Sequence, residues 1–290
     1  MKFSVGADRP VIILPSRWLA LVSSLALPAL LVATGLAGLG GCASNQSATS
    51  VSASDRPDLV TASDEPDVRR RARLRLELAS SYFEQGQTTV ALDEIKKSLA
   101  TDPGFADAYN LRGLVYMRLN DIALAEDSFK QALSLSNRSA DVAHNYGWML
   151  CQQSRYAESN AQFAQAANNP TYQGKARTLM VQGVCQVRAG QTAEAERTLL
   201  QSYELDPNNP VTGYNLASVL FARGDFTRAQ FYIRRLNNSE LANAETLWLG
   251  IKTERNLNNR AAAAQLADQL KKRFAQSAQA ASFDKGSFND

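Results

Sequence analysis

The sequence predicts an all-α protein, a right-handed superhelix of about six helix-turn-helix units. Three observations carry this prediction. Residue types recur in register at intervals of 33–36 residues, no segment alternates as a half-buried strand would, and turn residues stand between the recurring columns. The first column is small: Ala79, Gly113, Gly147, Gly183, Ala217 and Gly250. The second is also small: Ala91, Ala125, Ser159, Ala195, Ala229 and Ala262. The third is large and apolar: Ile95, Phe129, Phe163, Leu199, Ile233 and Leu266. Between the two small columns lie Gln85-Gly86, Asn120-Asp121, Ala189-Gly190 and Arg223-Gly224.

The columns describe paired antiparallel helices, A and B. Small residues on both let them approach closely, and the large residue on B is expected to fill space toward the next unit. One pair cannot bury its own apolar face, so stability is shared between neighbours. The pattern resembles the tetratricopeptide repeat (TPR) over about residues 72–274. Ser159 in place of alanine and the missing turn glycine in the sixth unit are the irregularities.

The chain before the repeats has three parts. Lys2, Arg9 and Arg17 precede a run from Trp18 to Leu39 without a charged side chain. This is the layout of a signal peptide, though the run is long enough to span a bilayer. It ends in Leu39-Gly40-Gly41-Cys42, followed by Ala43-Ser44. That stretch resembles a bacterial lipobox, which implies removal of residues 1–41 and acylation of Cys42. The absence of Asp at the second mature position implies, by the same resemblance, the outer membrane. Residues 43–64, rich in Ser, Ala, Thr and Asp, read as a flexible tether with a root-mean-square reach of roughly 25 Å. The expected domains are thus a signal peptide at 1–41, a linker at 42–66 and a repeat domain at 67–276. Asp64-Glu65-Pro66-Asp67 supplies the helix start. The polar tail 277–290 is expected to be disordered.

Composition excludes several functions. The net charge is only +3, which builds no strong field for nucleic acid or anionic lipid. One histidine and three cysteines leave little for catalysis or metal binding. Neither a phosphate-binding GxxxxGK[ST] loop nor a dinucleotide GxGxxG motif is present. No enzyme, cofactor, metal site or small-molecule substrate is expected. His144 reads as a polar residue on the inner face of the solenoid. Cys151 and Cys185 fall at positions 12 and 10 of their units. The different helical phases predict two separate buried thiols over a bridge, although an oxidising compartment would permit one.

In this repeat class the A helices line the concave face. The groove is therefore expected to present Phe83, Met117, His144, Trp148, Arg177, Met180, Tyr214 and Phe221 to a helix or extended peptide. Leu247 and Ile251 extend that row into the sixth unit.

The third and fourth units read HNYGWMLCQQSRYAESNAQFAQAANNPTY and VQGVCQVRAG. The Asn-Tyr-Gly-x-x-Leu-Cys core, the Asn-Pro-x-Tyr connection and the Gly-Val-Cys that follows resemble the type IV pilus biogenesis and stability lipoproteins of the PilF/PilW family. Ser154 departs from the glycine usual at that turn. The resemblance implies a pilotin in the outer membrane, facing the periplasm, that binds secretin subunits and promotes their localisation and multimerisation. The alternative is a TPR lipoprotein adaptor for outer-membrane protein assembly or cell-wall hydrolases.

Overall fold

The computed structural model describes residues 64–288. The signal segment, Cys42 and residues 43–63 of the tether lie outside the described residues. Asp67–Asp290 forms a compact unit. Its described part holds thirteen helices: α1 (Asp67–Glu84), α2 (Thr88–Thr101), α3 (Ala106–Arg118), α4 (Ile122–Leu135), α5 (Ala140–Gln152), α6 (Tyr156–Ala167), α7 (Lys175–Arg188), α8 (Thr192–Leu205), α9 (Pro210–Ala222), α10 (Phe226–Asn237), α11 (Ala244–Asn256), α12 (Arg260–Arg273) and α13 (Ala278–Asp284).

Odd-numbered helices through α11 are the A helices and even-numbered ones the B helices. Each A helix packs on its own B helix, and each B helix packs on the next A helix. Consecutive A helices also approach backbone to backbone, from α1·α3 to α9·α11, whereas B helices meet one another only through side chains, as Tyr203 of α8 meets Tyr232 of α10. The A layer is therefore the closer-packed one and lies on the inside of the curve.

The large column reaches toward the next unit as expected, with Phe129 stacked on Tyr146 at 5.9 Å between ring centres. It also lies on the small residue of its own A helix. A Cβ added to Gly113 would fall 2.6 Å from the Phe129 ring, and one on Gly183 would fall 2.5 Å from Leu199. Ser159 fits its small column because its hydroxyl donates to the Gly147 carbonyl across the pair at 2.8 Å. Ser98 and Ser202 make the same kind of bond, to the carbonyls of Ala72 (2.7 Å) and Ala176 (2.8 Å). A hydroxyl in these cores is thus fully partnered, and the penalty for burying it is avoided.

Every A helix ends alike. Gly86, Asn120, Ser154, Gly190, Gly224 and Asn258 all have positive φ, between 57° and 80°. The amide after each bonds back five residues, as in Arg155 N to Leu150 O at 2.9 Å. This is the Schellman ending, which satisfies otherwise orphaned carbonyls. Asn258 fills the place of the missing glycine in the sixth unit. The next helix is then capped by Asp121, Asp225 or Asn259 side chains in three units.

The tail is not disordered, contrary to the expectation from its composition. Ala278 stands one period after Ala244, and α13 is a shortened seventh A helix packed on α11 and α12. Phe288 stacks on Trp248 at 5.2 Å between ring centres, and the Arg255 guanidinium lies 3.7 Å above the Phe288 ring. Lys271 covers Phe283 and pairs with Asp284 at 2.7 Å.

Ser154 is the one member of the turn column with neither glycine's freedom nor asparagine's tolerance of the left-handed region. Ser154→Gly should raise the unfolding free energy by about 0.5–1 kcal/mol, measured by urea denaturation. An equal or lower midpoint would show that the turn is not strained.

Candidate functional site

The expected groove residues divide into two groups. Phe83 and His144 do not face a groove. Phe83 is 4% exposed, because the Arg118 guanidinium sits 3.7 Å above its ring and also donates to its carbonyl. His144 is 1% exposed and lies between α5 and α7, with Phe163 at its edge. Leu247 and Ile251 are fully buried as well. Met117, Trp148, Arg177, Met180, Tyr214 and Phe221 are partly exposed on the A layer.

His144 is held by the segment that breaks the 34-residue period. Between α6 and α7 the extra residues lie in Asn168–Gly174. Asn169 accepts from the amide and hydroxyl of Thr171 and donates to the Arg138 carbonyl at 2.9 Å. Tyr172 then folds back against Ala140, Ala143 and Ala166. Its ring passes so close to Gly174 that a Cβ there would lie 2.4 Å away. Thr178 donates to the Tyr172 hydroxyl at 3.2 Å, and its oxygen sits 2.8 Å from His144 Nδ1. With the threonine proton given to Tyr172, Nδ1–H of His144 is the donor, which fixes the neutral tautomer. Burial, with the Arg177 charge nearby, pushes the imidazole down to about 3. This ring cannot meet a substrate, so the single histidine of the chain is structural.

Cys151 and Cys185 are joined in a disulfide with Cα atoms 5.9 Å apart, not held as separate thiols. The correction is geometric. Adjacent A helices meet through opposite faces, so residues at the same repeat position would point the same way and miss one another. Positions 12 and 10 differ by two residues, or about 200° around a helix, which turns them face to face. The cross-link spans 34 residues between α5 and α7. A loop of that length constrains the unfolded chain by about 3–4 kcal/mol in the chain-entropy picture.

The partly exposed residues include three rings, Trp148, Tyr214 and Phe221, and cations from other positions of the A layer cover two of them. Arg188 lies 5.3 Å above the Trp148 ring. Lys252 lies 5.5 Å from Phe221 and 5.6 Å from Trp248. Phe221 also meets Phe226 edge-on at 5.3 Å. Tyr214 packs on the core around Leu216 and Leu220, and burial pushes its hydroxyl pKa up. Arg177 reaches the Tyr172 hydroxyl at 3.5 Å and Asp141 at 3.7 Å. Asn145 donates to Asn110 at 3.1 Å, across α3 and α5. Arg118, Arg188, Lys252 and Trp248 escaped the sequence reading. Their signal was a basic residue recurring near the end of A helices, easily taken for a solvated position. The face offers half-buried rings, cations and side-chain amides, the means to bind a polypeptide. Among the described residues no cluster of His, Cys, Asp or Glu could hold a metal ion, and no helix is long and apolar enough to cross a membrane.

Comparison with known proteins agrees with this geometry. A family model for the tetratricopeptide repeat matches residues 76–141 and 147–210. The type IV pilus assembly protein PilF of Pseudomonas aeruginosa is 27% identical over 199 residues, covering 69% of this chain and 79% of its own. A solved structure of P. aeruginosa PilF superposes with a TM-score of 0.68 at 27% identity, over 75% of this chain and 99% of that one. The crystal structure of PilW, described as a widely conserved type IV pilus biogenesis factor, superposes with a TM-score of 0.64 at 31% identity, over 72% and 96%. Fold and repeat thus define a tetratricopeptide-repeat protein, an all-α solenoid. Within that class, the chain belongs to the PilF/PilW family of type IV pilus proteins.

The buried, neutral His144 gives the fold a pH signature. The unfolded chain binds a proton at this group below its ordinary value of 6.5, whereas the folded chain does so only near 3. Its contribution is complete above pH 6.5 and is lost as pH falls, at about 1.4 kcal/mol per pH unit. Urea denaturation between pH 6.5 and 5 should show this slope in the natural chain and lose it in His144→Gln. Equal slopes in the two would mean that the ring takes its proton while folded.

Proposed function

We propose that the chain is an outer-membrane lipoprotein, anchored through acyl chains on Cys42 and facing the periplasm. It acts there as a pilotin. It binds subunits of the type IV pilus secretin through the A-helix layer and promotes their localisation and multimerisation. The observation that carries this reading is the likeness to PilF and PilW over nearly the whole length of both solved structures.

Three features of the chain support it. The lipobox-like Leu39–Cys42 stretch, followed by a Ser- and Ala-rich tether, suits a body held near a bilayer. Two or three acyl chains give firm anchoring where a single one binds reversibly. The Cys151–Cys185 bridge is of a kind that persists in oxidising compartments. The half-buried rings of Trp148, Tyr214 and Phe221 offer anchors for a peptide without needing any movement of the helices. The role is non-enzymatic, since the only imidazole is walled in by Thr178 and Phe163.

Two experiments test this. Cys42→Ser should leave the far-ultraviolet circular dichroism and melting temperature unchanged, yet abolish fractionation with outer membranes in cells lacking the secretin. Continued outer-membrane fractionation of this variant would refute acyl anchoring. Separately, Trp148→Ala combined with Phe221→Ala should weaken capture of the secretin from detergent-solubilised membranes at least about tenfold, on the scale of two truncated anchors. Undiminished capture would move the binding surface off the A layer. Capture of an outer-membrane assembly barrel or a cell-wall hydrolase in place of the secretin would replace the pilotin role with an adaptor role.

A further inference from the structure

The first helix carries a surface that the repeat logic leaves open. α1 buries Ala72, Ala79 and Phe83. Turned away from these, Leu74 and Leu78 are 56% and 40% exposed. In the next four repeats the residues equivalent to Leu74 are Ala108, Val142, Thr178 and Thr212, and all are fully buried. Tyr146, Leu216 and Leu249, equivalent to Leu78, are buried too. A preceding repeat covers most of these positions elsewhere, where the exceptions are polar: Arg112 and Gln182 are half-buried and Glu245 is exposed. Repeat arrays normally close such an end with polar residues, and α1 instead presents two leucines one turn apart.

Arginines surround them. Arg70 and Arg71 lie one turn before Leu74, and Arg75 lies one turn before Leu78, so all three border the same patch. From Asp67 to Leu78 there are five arginines against two carboxylates, Asp67 and Glu77. Arg70 pairs with the exposed Asp67, and Arg75 reaches Glu94 at 2.9 Å, both as half-exposed side chains. Such surface pairs are weak and exchange readily for another anion. Arg69 is not part of the patch: it is committed to Asp102 and to the Phe105 ring.

The chain upstream indicates what meets this face. Residues 43–66 separate α1 from Cys42, and the uncharged run 18–39 lies just before that. Only about two dozen residues thus lie between α1 and Cys42. Whether acyl chains or the apolar run hold the protein, α1 is the folded element nearest the bilayer along the chain. Its effective concentration at a phospholipid surface is correspondingly high.

We propose that the Leu74–Leu78 face of α1, bordered by Arg70, Arg71 and Arg75, docks on an anionic phospholipid surface. The leucines enter the boundary between headgroups and acyl chains, and the guanidinium groups meet lipid phosphates. Its place in the cell rests on the anchored reading above, but its chemistry does not require an acyl chain. Docking would hold the first repeat at the bilayer and leave the A layer of the later repeats to a protein partner.

The test uses unlipidated residues 43–290, which keep the whole helical unit, and two kinds of vesicle. One is pure phosphatidylcholine, and the other contains about one-third phosphatidylglycerol. The chain should co-sediment with the mixed vesicles, less so as salt rises, and not with pure phosphatidylcholine. Leu74→Ser with Leu78→Ser, and separately Arg70→Gln with Arg71→Gln, should each weaken that binding at least about tenfold without lowering the melting temperature. Equal binding to both vesicles, absence of binding to either, or double variants that bind as the natural chain does would each overturn the proposal. Light scattering provides a further check. A dimer that dissolves only in the leucine variant would assign the face to a second copy of this chain. Because no acyl chain is present, failure here leaves the fractionation result for Cys42→Ser standing, and the converse also holds.

Discussion

The solenoid depends on one contact repeated in every helix pair, a large side chain on B pressed against a small residue on A. The sizes are matched pair by pair. Ala79 and Ala217 face the β-branched Ile95 and Ile233, whereas Gly113 and Gly147 face Phe129 and Phe163, and Gly183 faces Leu199. Opposite a ring or a γ-branched leucine the A residue gives up its methyl, and opposite a β-branched isoleucine it keeps it, as shape matching in a close-packed core requires. Held at that separation, the pair brings Ser98, Ser159 and Ser202 within reach of carbonyls on the facing helix. Carboxylates then join one unit to the next. Glu126 takes bonds from Arg155, Lys130 and Tyr146, which hold its carboxyl down near 2 and, with burial, push the Tyr146 hydroxyl up to about 12. Glu196 with Arg228, and Glu254 with Arg234, do the same further along, each at 2.7 Å.

The repeats were legible in the sequence because their signals are local. Small and large columns record contacts within one helix pair, sixteen residues apart, and turn residues record a backbone conformation. What was not legible concerned relations between repeats. Phe83 looks like a groove residue until Arg118, thirty-five positions later, is seen to cover it. His144 looks like a surface polar residue until the inserted segment brings Tyr172 back over Thr178. The cysteines were misread because a shared helical phase was taken as the condition for contact, when facing helices require opposed phases. The tail was misread for a simpler reason. Its composition is polar, but two rings, Phe283 and Phe288, find Trp248 and two cations, Lys271 and Arg255, already arranged for them. Composition cannot report a docking place that other residues supply.

The inserted segment also explains why the third and fourth units carry the most distinctive part of the sequence. Two extra residues displace the following A helix relative to the strict period. The structure uses that displacement three times: Tyr172 gains room to fold back, Thr178 meets His144, and Cys185 meets Cys151. A hydrogen-bonded network and a covalent link thus stand at the same joint, α5 to α7. The α5–α7 joint is tied both covalently and by hydrogen bonds. Trp148 and Met180 lie on the A layer of the same two helices, so the rings offered there are held on a rigid base. Such a base reduces the ordering cost that a bound peptide must overcome.

The two ends of the array are not equivalent, and the difference follows from what each has to cover. At the C-terminal end the last apolar face is closed within the chain. Ala280 and Phe283 of α13 bury against Leu247, Trp248 and Leu270, and Phe288 stacks beyond them. At the N-terminal end nothing among the described residues occupies the place where a preceding repeat would lie, and Leu74 and Leu78 remain open. A solenoid closed at one end cannot grow by stacking tail to head, because α13 fills the surface that the next copy's α1 would need. The open leucines therefore do not serve an extending filament. They belong to the end of the array that leads back along the chain to Cys42.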